Sequence, residues 1–289
     1  MQSPAIRTIT IYGVGLIGGS FALALRRAGF AGRILGVSSP STLEEATALG
    51  VIDEGVSFEE GASKADLIYL AQPISKIIEQ LPRIAPHARP GALLTDAGST
   101  KVQIVRAAAA CLPPGSFWGG HPMAGKETRG VAAAEASLFE GRVYVLTPTT
   151  GSNPAAEELL EWIGKMGAVV RIMSPEDHDE TVSVTSHLAQ LASTVLTQTV
   201  IRGVPYKTFI NIAGPGLLDM TRLAMSSFEV WKDIIATNEE PIKRALSRYI
   251  EHLQYLRENL AGPDTENTFS EAGAAAKLLR GFPVIDNPR

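Results

Sequence analysis

The chain has little of what marks an unusual environment or partner. Among 289 residues there is one cysteine, Cys111, so no disulfide can form within the chain and a reducing compartment suits it. The net charge is only −4, without the basic surplus typical of proteins that bind nucleic acid or anionic membranes. No apolar run reaches the length of about eighteen residues that a membrane span needs. The amino terminus lacks the apolar region and cleavage site of a secretory signal. We therefore expect a cytoplasmic protein with no nucleic-acid or membrane partner.

What the sequence does contain, up to about residue 173, is an alternation of short β-rich runs with helical patterns. Strands are predicted over residues 8–12, 33–37, 67–71, 92–95, 117–119, 143–146 and 168–172. Helices are predicted between most of them, over residues 16–27, 41–49, 74–81, 101–110 and 154–166. Such alternation is typical of a doubly wound, largely parallel sheet with helices on both faces.

Beyond Met173 the strand pattern stops, and residues 174–289 are interpreted as an all-α domain. Ser174 and Pro175 predict a helix start, as N-cap and first helical residue. The following helix carries two neighbouring stripes, an apolar one and a polar one. The apolar stripe consists of Val184, Leu188, Leu191 and Val195, and the polar one of Ser183, Ser186, Gln190 and Ser193.

A second helical pattern over residues 238–260 has an apolar residue at every third or fourth position. It predicts a long helix in a bundle and a candidate subunit interface. Gly262 and Pro263 are predicted to end it. A weaker helical pattern covers residues 270–280.

Three glycines follow the first predicted strand with the spacing G-x-G-x-x-G: Gly13, Gly15 and Gly18. Such glycines permit a tight turn, close approach of the backbone to a pyrophosphate, and packing of the next helix on the strand. The amides of Leu16 and Ile17, at the positive end of that helix, can hold phosphate groups. The pattern predicts a dinucleotide-binding, Rossmann-like domain over residues 1–173. The alternative is a glycine turn that only packs a helix.

The second predicted strand ends without the acid that usually binds the ribose hydroxyls of NAD. Ser38 and Ser39 stand there instead. Without a carboxylate nothing repels a 2′-phosphate, and hydroxyls can donate to one, but no arginine follows to neutralise it. NAD+ and NADP+ therefore both remain open, with a slight preference for NADP+. A serine-rich surface turn is the alternative explanation for each hydroxyl.

Two further loops follow predicted strands, at the sheet edge where a doubly wound fold places its chemistry. One contains Ser99 and the other contains His121, flanked by glycines. Ser99 can bond a substrate hydroxyl or the imidazole, although capping of the next helix explains most serines at such a position. An imidazole can accept a proton near neutral pH while a hydride leaves, but a histidine there can also be only a satisfied polar residue.

Five segments in order carry a resemblance to a known family. They are GVGLIGGS at residues 13–20, DAGSTK at 96–101, GGHPMAGKE at 119–127, LTPT at 146–149 and SHLAQ at 186–190. Together they resemble the prephenate/arogenate dehydrogenases of tyrosine biosynthesis, over roughly residues 8–260. The resemblance implies a dinucleotide-binding domain followed by a helical domain through which two chains dimerise. It also implies NAD(P)-dependent oxidative decarboxylation of prephenate or arogenate.

The resemblance further implies roles for individual residues. His121 corresponds to the catalytic histidine bonded to the ring hydroxyl of the substrate, and Ser99 assists it. Arg222 corresponds to the arginine that binds a substrate carboxylate. The remaining matches are substrate contacts or supports of the pocket: Ser186, His187, Gln190, Glu127, Asp219 and Trp231. No metal is expected, because the five histidines show no paired ligand spacing.

Several alternatives stay open at this point. Arg222 can pair with Asp219 on a helix face, His187 can cap or pack, and Trp231 can be a core residue. Many prephenate-using relatives carry a second histidine where this chain has Gln190, and an amide suits a keto group or an ammonium equally. Prephenate and arogenate therefore both remain. We expect neither a fused mutase domain nor a regulatory ACT domain.

Two other functions compete with the family reading. A β-hydroxyacid or imine-type dehydrogenase of the same layout would use an acid/base on its helical domain. A non-catalytic dinucleotide-binding protein would keep the fold without turnover.

Overall fold

The computed structural model describes residues 4–203 and 205–281. In this part of the chain eight strands form one sheet, with bounds β1 Thr8–Tyr12, β2 Arg33–Val37, β3 Glu54–Gly55, β4 Leu67–Leu70, β5 Leu93–Asp96, β6 Phe117–Pro122, β7 Val143–Pro148 and β8 Val169–Ile172. Their order in the sheet is β3-β2-β1-β4-β5-β6-β7-β8. Only β6 and β7 pair antiparallel; the other neighbours are parallel. The predicted α/β class is confirmed.

Six helices connect these strands: α1 Leu16–Arg27, α2 Pro40–Ala48, α3 Phe58–Lys64, α4 Ile74–Ile84, α5 Val102–Cys111 and α6 Pro154–Lys165. Alternate side chains of the strands enter two separate apolar layers, as the two-residue period of a strand requires. In β4, Leu67 and Tyr69 join one layer, whereas Ile68 and Leu70 join the other. Helices therefore cover both faces of the sheet.

Four features of this part differ from the sequence-based expectation. β3 and α3 were not predicted, because an element of two residues and one of seven carry little periodic signal. α2 begins at Pro40, with Ser39 as its N-cap. β6 runs on to Pro122, so His121 lies within a strand opposite Val145 and not in a loop.

Seven helices make up the rest of the described chain: α7 Pro175–Val182, α8 Leu188–Gly203, α9 Tyr206–Ile212, α10 Pro215–Thr221, α11 Phe228–Thr237, α12 Glu239–Glu258 and α13 Pro263–Gly281. The predicted start at Ser174 is confirmed, since its hydroxyl accepts the amide of Asp177 at 3.0 Å and Pro175 is the first helical residue. A π-helical turn, Ser183–His187, joins α7 to α8. A 3₁₀ turn, Arg222–Met225, follows α10 and is called the Arg222 turn below.

An ordinary surface helix buries its apolar stripe and exposes its polar one. The two stripes predicted for the helix that follows Ser174 are reversed. Ser183, Gln190 and Ser193 of the polar stripe are buried, whereas Val184 and Val195 of the apolar stripe are exposed. The polar side chains find hydrogen-bond partners inside the protein, and the described residues leave these two apolar side chains exposed.

The carboxy-terminal helices also differ from expectation. α12 already ends at Glu258, and Pro263 begins α13 rather than ending the preceding helix. Proline at a first helical position loses no hydrogen bond, so it starts a helix as readily as it stops one. α13 is accordingly longer than the predicted residues 270–280.

The fold divides into two compact units, one ending at Ile242 and the other beginning at Lys243. In the first unit, Asp233 of α11 accepts both the amide and the hydroxyl of Ser75 at the start of α4, at 2.9 and 2.7 Å. In the second, Tyr255 donates to Asp264 at 2.8 Å.

The proposed domain boundary near residue 173 stays a prediction. No helix in the described ranges is long and apolar enough to cross a membrane.

Candidate active site

A buried ion pair lies between the carboxyl ends of β5 and β6, where both of its side chains bond to the backbone of Gly120. Asp96 accepts the amides of Gly98 at 2.8 Å and Gly120 at 3.0 Å, and it pairs with Lys101. The Lys101 ammonium also donates to the carbonyl of Gly120 at 2.6 Å. Burial lowers the pKa of Lys101, and the adjacent Asp96 opposes this shift. Both peptide groups of Gly120 are therefore held, which fixes the backbone immediately before His121.

A chain of hydrogen bonds runs from His121 through two residues of α7. His121 Nδ1 lies 2.8 Å from His178 Nε2, and His178 Nδ1 lies 2.7 Å from Asp179 Oδ1. A carboxylate can only accept, so His178 carries its proton on Nδ1 and its Nε2 accepts. His121 must then donate from Nδ1, which leaves its Nε2 lone pair unprotonated. The arrangement selects the tautomer of His121 that can accept a proton.

Asp179 is itself held by the first turn of α5. Its two carboxylate oxygens accept the amides of Lys101 at 2.7 Å and Val102 at 2.9 Å. These amides have no partner within the helix, and the positive helix end favours a negative charge. The alternative reading of Ser99 as the cap of this helix is thus wrong, because Asp179 supplies the cap. Ser99 makes no hydrogen bond to the described residues, and it is His178, not Ser99, that occupies His121 Nδ1.

Burial dominates the electrostatics of both site histidines. It lowers the pKa of His121 well below its usual value, and the nearby His178, Lys101 and His187 lower it further. Burial also lowers the pKa of His187 to about 4, although Asp179 opposes this shift. His121 is therefore neutral at physiological pH, which is the state that a general base needs.

The π turn brings His187 inward and not toward open solvent. His187 is 1% exposed, its Nδ1 lies 3.2 Å from the Asn238 amide, and its ring packs edge-on against Trp231 at 5.8 Å. Asn238 also donates to the backbone carbonyl of Asp179 at 2.8 Å. Ser186, in the same turn, is half-buried. π turns of this kind occur often at functional sites because the extra residue re-aims side chains.

The remaining predicted substrate residues lie around the Arg222 turn. Arg222 is exposed and pairs with Glu127 at 3.7 Å, so the alternative pairing with Asp219 is not the one observed. Asp219 is exposed on α10. Gln190 is buried and donates to the carbonyl of Leu223 at 2.8 Å.

Two adjacent cavities lie beside these residues. A cleft of about 710 Å³ is lined by Leu16, Ile17 and Ser99 among others. A cavity of about 620 Å³ is lined by Glu127 and Arg222 among others. Lys126, Arg129 and Val230 line both. His121 lines neither cavity and is 9% exposed.

The larger cleft has the features of a dinucleotide site. Gly13 has a φ of +93°, and a Cβ there would stand 2.6 Å from the carbonyl of Ala71. A Cβ on Gly18 would stand 2.2 Å from the carbonyl of Gly13, whereas one on Gly15 would meet open space. The first glycine thus makes the turn, the third allows helix packing, and the middle one leaves room for a ligand. α1 has no side-chain cap, so its first amides face that space.

Two further observations concern the ribose end of this site. Gln72, which lines the cleft, has a buried amide oxygen without a partner in the described protein, an acceptor suited to a hydroxyl. Ser39 caps α2 by accepting the amide of Thr42 at 3.4 Å, and its hydroxyl lies 2.8 Å from that of Thr42. Ser38 is half-buried beside it. Ser39 thus has a structural role as the N-cap of α2.

Sequence reasoning missed His178, Asp179 and Asn238 as members of the site. His178 and Asp179 are neighbours in the sequence, in the predicted helix that starts at Ser174. A signal was present in their adjacency, since a histidine beside an acid in a helix start can form a buried pair. Nothing in the sequence shows that this turn is buried. In the ranges that the structure describes, no group of side chains could hold a metal ion.

Comparison with known proteins identifies the family of the chain. The sequence-family model described as prephenate dehydrogenase, nucleotide-binding domain, matches residues 21–172. The family model described as prephenate dehydrogenase, dimerization domain, matches residues 174–272. The prephenate dehydrogenase of Bacillus subtilis is 36% identical over 283 residues, covering 96% of this chain and 76% of that protein. The chain belongs to the prephenate dehydrogenase family.

Solved structures of the prephenate dehydrogenase family share the whole fold. The A. aeolicus prephenate dehydrogenase, solved with hydroxyphenyl propionate and NAD+, gives a TM-score of 0.86 at 32% identity and covers 96% of this chain and 99% of its own. The Synechocystis arogenate dehydrogenase gives a TM-score of 0.82 at 31% identity and covers 94% and 99%. The family thus includes proteins named for either substrate.

Proposed function

We propose that the chain oxidatively decarboxylates prephenate to 4-hydroxyphenylpyruvate with NAD(P)+, in tyrosine biosynthesis. The observation that carries the proposal is the buried chain His121–His178–Asp179, which leaves His121 Nε2 free to accept a proton. Ser99 and the first residues of α1, Leu16 and Ile17, line the cleft proposed for the dinucleotide. A β-hydroxyacid or imine dehydrogenase needs no such base on β6, and a binding protein needs none at all.

The residues divide the chemistry among them. A nicotinamide bound in the cleft supplies the acceptor for the hydride. His121 Nε2 accepts the proton of the ring hydroxyl as the hydride leaves, and His178 with Asp179 stabilises the imidazolium that forms. Ser99 is proposed to bond the same hydroxyl. The incipient ketone then promotes loss of the ring carboxylate, because the product ring becomes aromatic.

The charges around the smaller cavity favour prephenate over arogenate. Lys126, Arg129 and Arg222 line it together with a single acid, Glu127. Prephenate carries two carboxylates and no ammonium, so it gains more from this excess of cations than the amino-bearing arogenate does. Arg222 is proposed to bind the side-chain carboxylate, with Glu127 and Asp219 orienting it. Ser186, His187 and Trp231 are proposed to shape the pocket.

For the cofactor, we propose that NADP+ and NAD+ are both used, with a slight preference for NADP+. No acid lies at the end of β2 to repel a 2′-phosphate, and Ser38 keeps its hydroxyl for a ligand. Ser38→Asp should therefore shift the ratio of kcat/KM toward NAD+ by about ten-fold or more, the effect of one charged contact. A Ser41→Asp variant, on the exposed first turn of α2, serves as the control.

We also propose a cytoplasmic homodimer formed through the helical domain. The matching family model is described as a dimerization domain. The exposed apolar side chains of α8 and α10 support the same assembly.

Steady-state rates with prephenate and arogenate, each with NAD+ and NADP+, test the function. We expect formation of reduced nicotinamide with prephenate, and a higher kcat/KM for prephenate than for arogenate. His121→Asn should abolish turnover but leave dinucleotide binding intact. Retained activity in His121→Asn would favour the hydroxyacid or imine dehydrogenase. Folded protein that binds the dinucleotide yet is inactive in all four combinations would be a binding protein.

A further inference from the structure

Two side chains on one face of α8 hold the Arg222 turn. Gln190 Nε2 donates to the carbonyl of Leu223 at 2.8 Å, and the amide of Ala224 donates to Ser193 Oγ at 3.1 Å. Gln190 and Ser193 are three residues apart and therefore share a helix face. Both are buried. One bond engages a carbonyl of the turn and the other an amide, so the turn is held from both of its polar sides.

These bonds matter because the turn is short, and its own hydrogen bond runs from the amide of Ser226 to the carbonyl of Leu223 at 3.0 Å. A four-residue 3₁₀ turn has poor internal hydrogen-bond geometry and leaves its first amides without internal partners. The ion pair of Arg222 with Glu127 is long and solvent-exposed, and such pairs restrain a side chain weakly. The place of the Arg222 backbone is thus determined mainly from α8.

The contacts of Gln190 also bear on whether it can bind a substrate directly. Its partner at Leu223 is a carbonyl, which only accepts, so the amide nitrogen must face the turn. The same nitrogen lies 3.4 Å from the hydroxyl of Thr194. Both N–H groups of the carboxamide are therefore directed at the protein, and neither is free for a keto or carboxylate group.

We infer that Gln190 and Ser193 are positioning residues, which fix the Arg222 turn so that the guanidinium is already placed for a substrate carboxylate. The inference rests on the proposed function, in which Arg222 binds that carboxylate. It replaces the interpretation of Gln190 as a substrate contact. Holding the turn in the free protein reduces the ordering cost of binding, so the effect falls on KM and not on the proton-transfer step.

The kinetic test uses one variant for each bond. Gln190→Met and Ser193→Ala should each raise KM for prephenate about three- to ten-fold, the factor for one lost hydrogen bond, with kcat close to that of the parent. Thr199→Val is the matched control, because among the described residues its hydroxyl donates to the carbonyl of Val195, also on α8, at 2.8 Å. In an Arg222→Ala background neither variant should raise KM further. If Gln190→Met raises KM as much there as in the parent, Gln190 contacts the substrate itself and the inference is overturned.

A second readout does not depend on activity. Amide hydrogen exchange of a peptide spanning residues 220–226 should be faster in Gln190→Met and in Ser193→Ala than in the ligand-free parent, and unchanged in Thr199→Val. Unchanged exchange in both variants would show that α8 does not hold the turn. If the parent fails to oxidise prephenate, the proposed function is wrong, and the exchange rates still decide whether these side chains fix the turn.

Discussion

A neutral imidazole has two nitrogens, and only the unprotonated one can accept a proton. In His121 the choice between them is made by His178, whose own tautomer is set by the carboxylate of Asp179. The same two residues can share the positive charge that arises when His121 becomes protonated. At the scale of the residue, therefore, the reactivity of His121 depends on a side chain that does not need to touch the substrate.

His178→Gln should reveal this dependence. A carboxamide can donate or accept toward His121 Nδ1, so it no longer selects the tautomer and cannot share the charge. We expect kcat to fall about 100-fold, the lower range for loss of a general-base effect, while KM for prephenate changes little. His87→Gln, the same change at an exposed histidine, should leave kcat unaltered. An unaltered kcat in His178→Gln would show that the chain of hydrogen bonds has no part in catalysis.

The pH dependence of kcat/KM reports on His121 directly. Its pKa lies well below the usual value because of burial, with a contribution from His178. The neutral form is active, so kcat/KM should stay level as the pH falls past about 6.5 and decrease only in more acid solution. A decrease centred at the ordinary histidine value in the parent would contradict this assignment.

At the scale of the element, Asp179 of α7 caps the start of α5. Asp179→Ala leaves two buried amides without an acceptor and removes the partner of His178. Hydrogen bonds to a charged group contribute about 1.5–3 kcal/mol each, and the effects overlap, so we expect the free energy of unfolding to fall by about 3 kcal/mol. Urea denaturation monitored by circular dichroism measures it. Glu176→Ala, at an exposed acid in the first turn of α7, should cost less than about 0.5 kcal/mol. Equal losses in the two variants would mean that Asp179 does not cap α5.

The periodic elements were predictable because the buried face of a strand or helix requires apolar residues at a fixed interval in the sequence. β1 and α1 were predicted with their observed bounds. Ile9 and Ile11 repeat at the two-residue period of a buried strand face, and Phe21 lies on the buried face of α1. The π turn was not predicted, because one additional residue in a helix changes neither composition nor apolar content. The helix that follows the π turn buries Gln190 and Ser193 of the polar stripe.

The site was predictable only as far as its residues are local in sequence. Gly13, Gly15 and Gly18 form a short motif with fixed spacing, and so does the segment around His121 at residues 119–127. Both were therefore found from the sequence. The contact between His121 and His178 spans 57 positions, and that between Gln190 and Leu223 spans 33. No local pattern encodes such a contact, because it depends on how α7, α8 and the Arg222 turn pack on the sheet.

At the scale of the whole molecule, many large apolar side chains of the helical region are exposed. Exposed apolar side chains in its first part include Val195, Ile201, Ile212, Leu218 and Met220. An apolar groove of about 240 Å³, lined by Val200, Ile201 and Leu217 among others, lies in the same region. Large exposed apolar patches of this kind usually mark interfaces. Leu253 of α12 and Phe269 of α13 are exposed as well.

Ile201→Asp tests whether this surface joins two chains. Ile201 and Leu49 are each 53% exposed, but Ile201 lies on α8 and Leu49 follows α2 in the α/β part. A carboxylate at an apolar interface loses its hydration without gaining a partner, so Ile201→Asp should dissociate the dimer. Leu49→Asp, the same chemical change at equal exposure, should leave it intact. Sedimentation velocity distinguishes the 30.7 kDa chain from a species of twice that mass. A parent that sediments as a monomer, or an Ile201→Asp variant that remains a dimer, would move the interface away from α8.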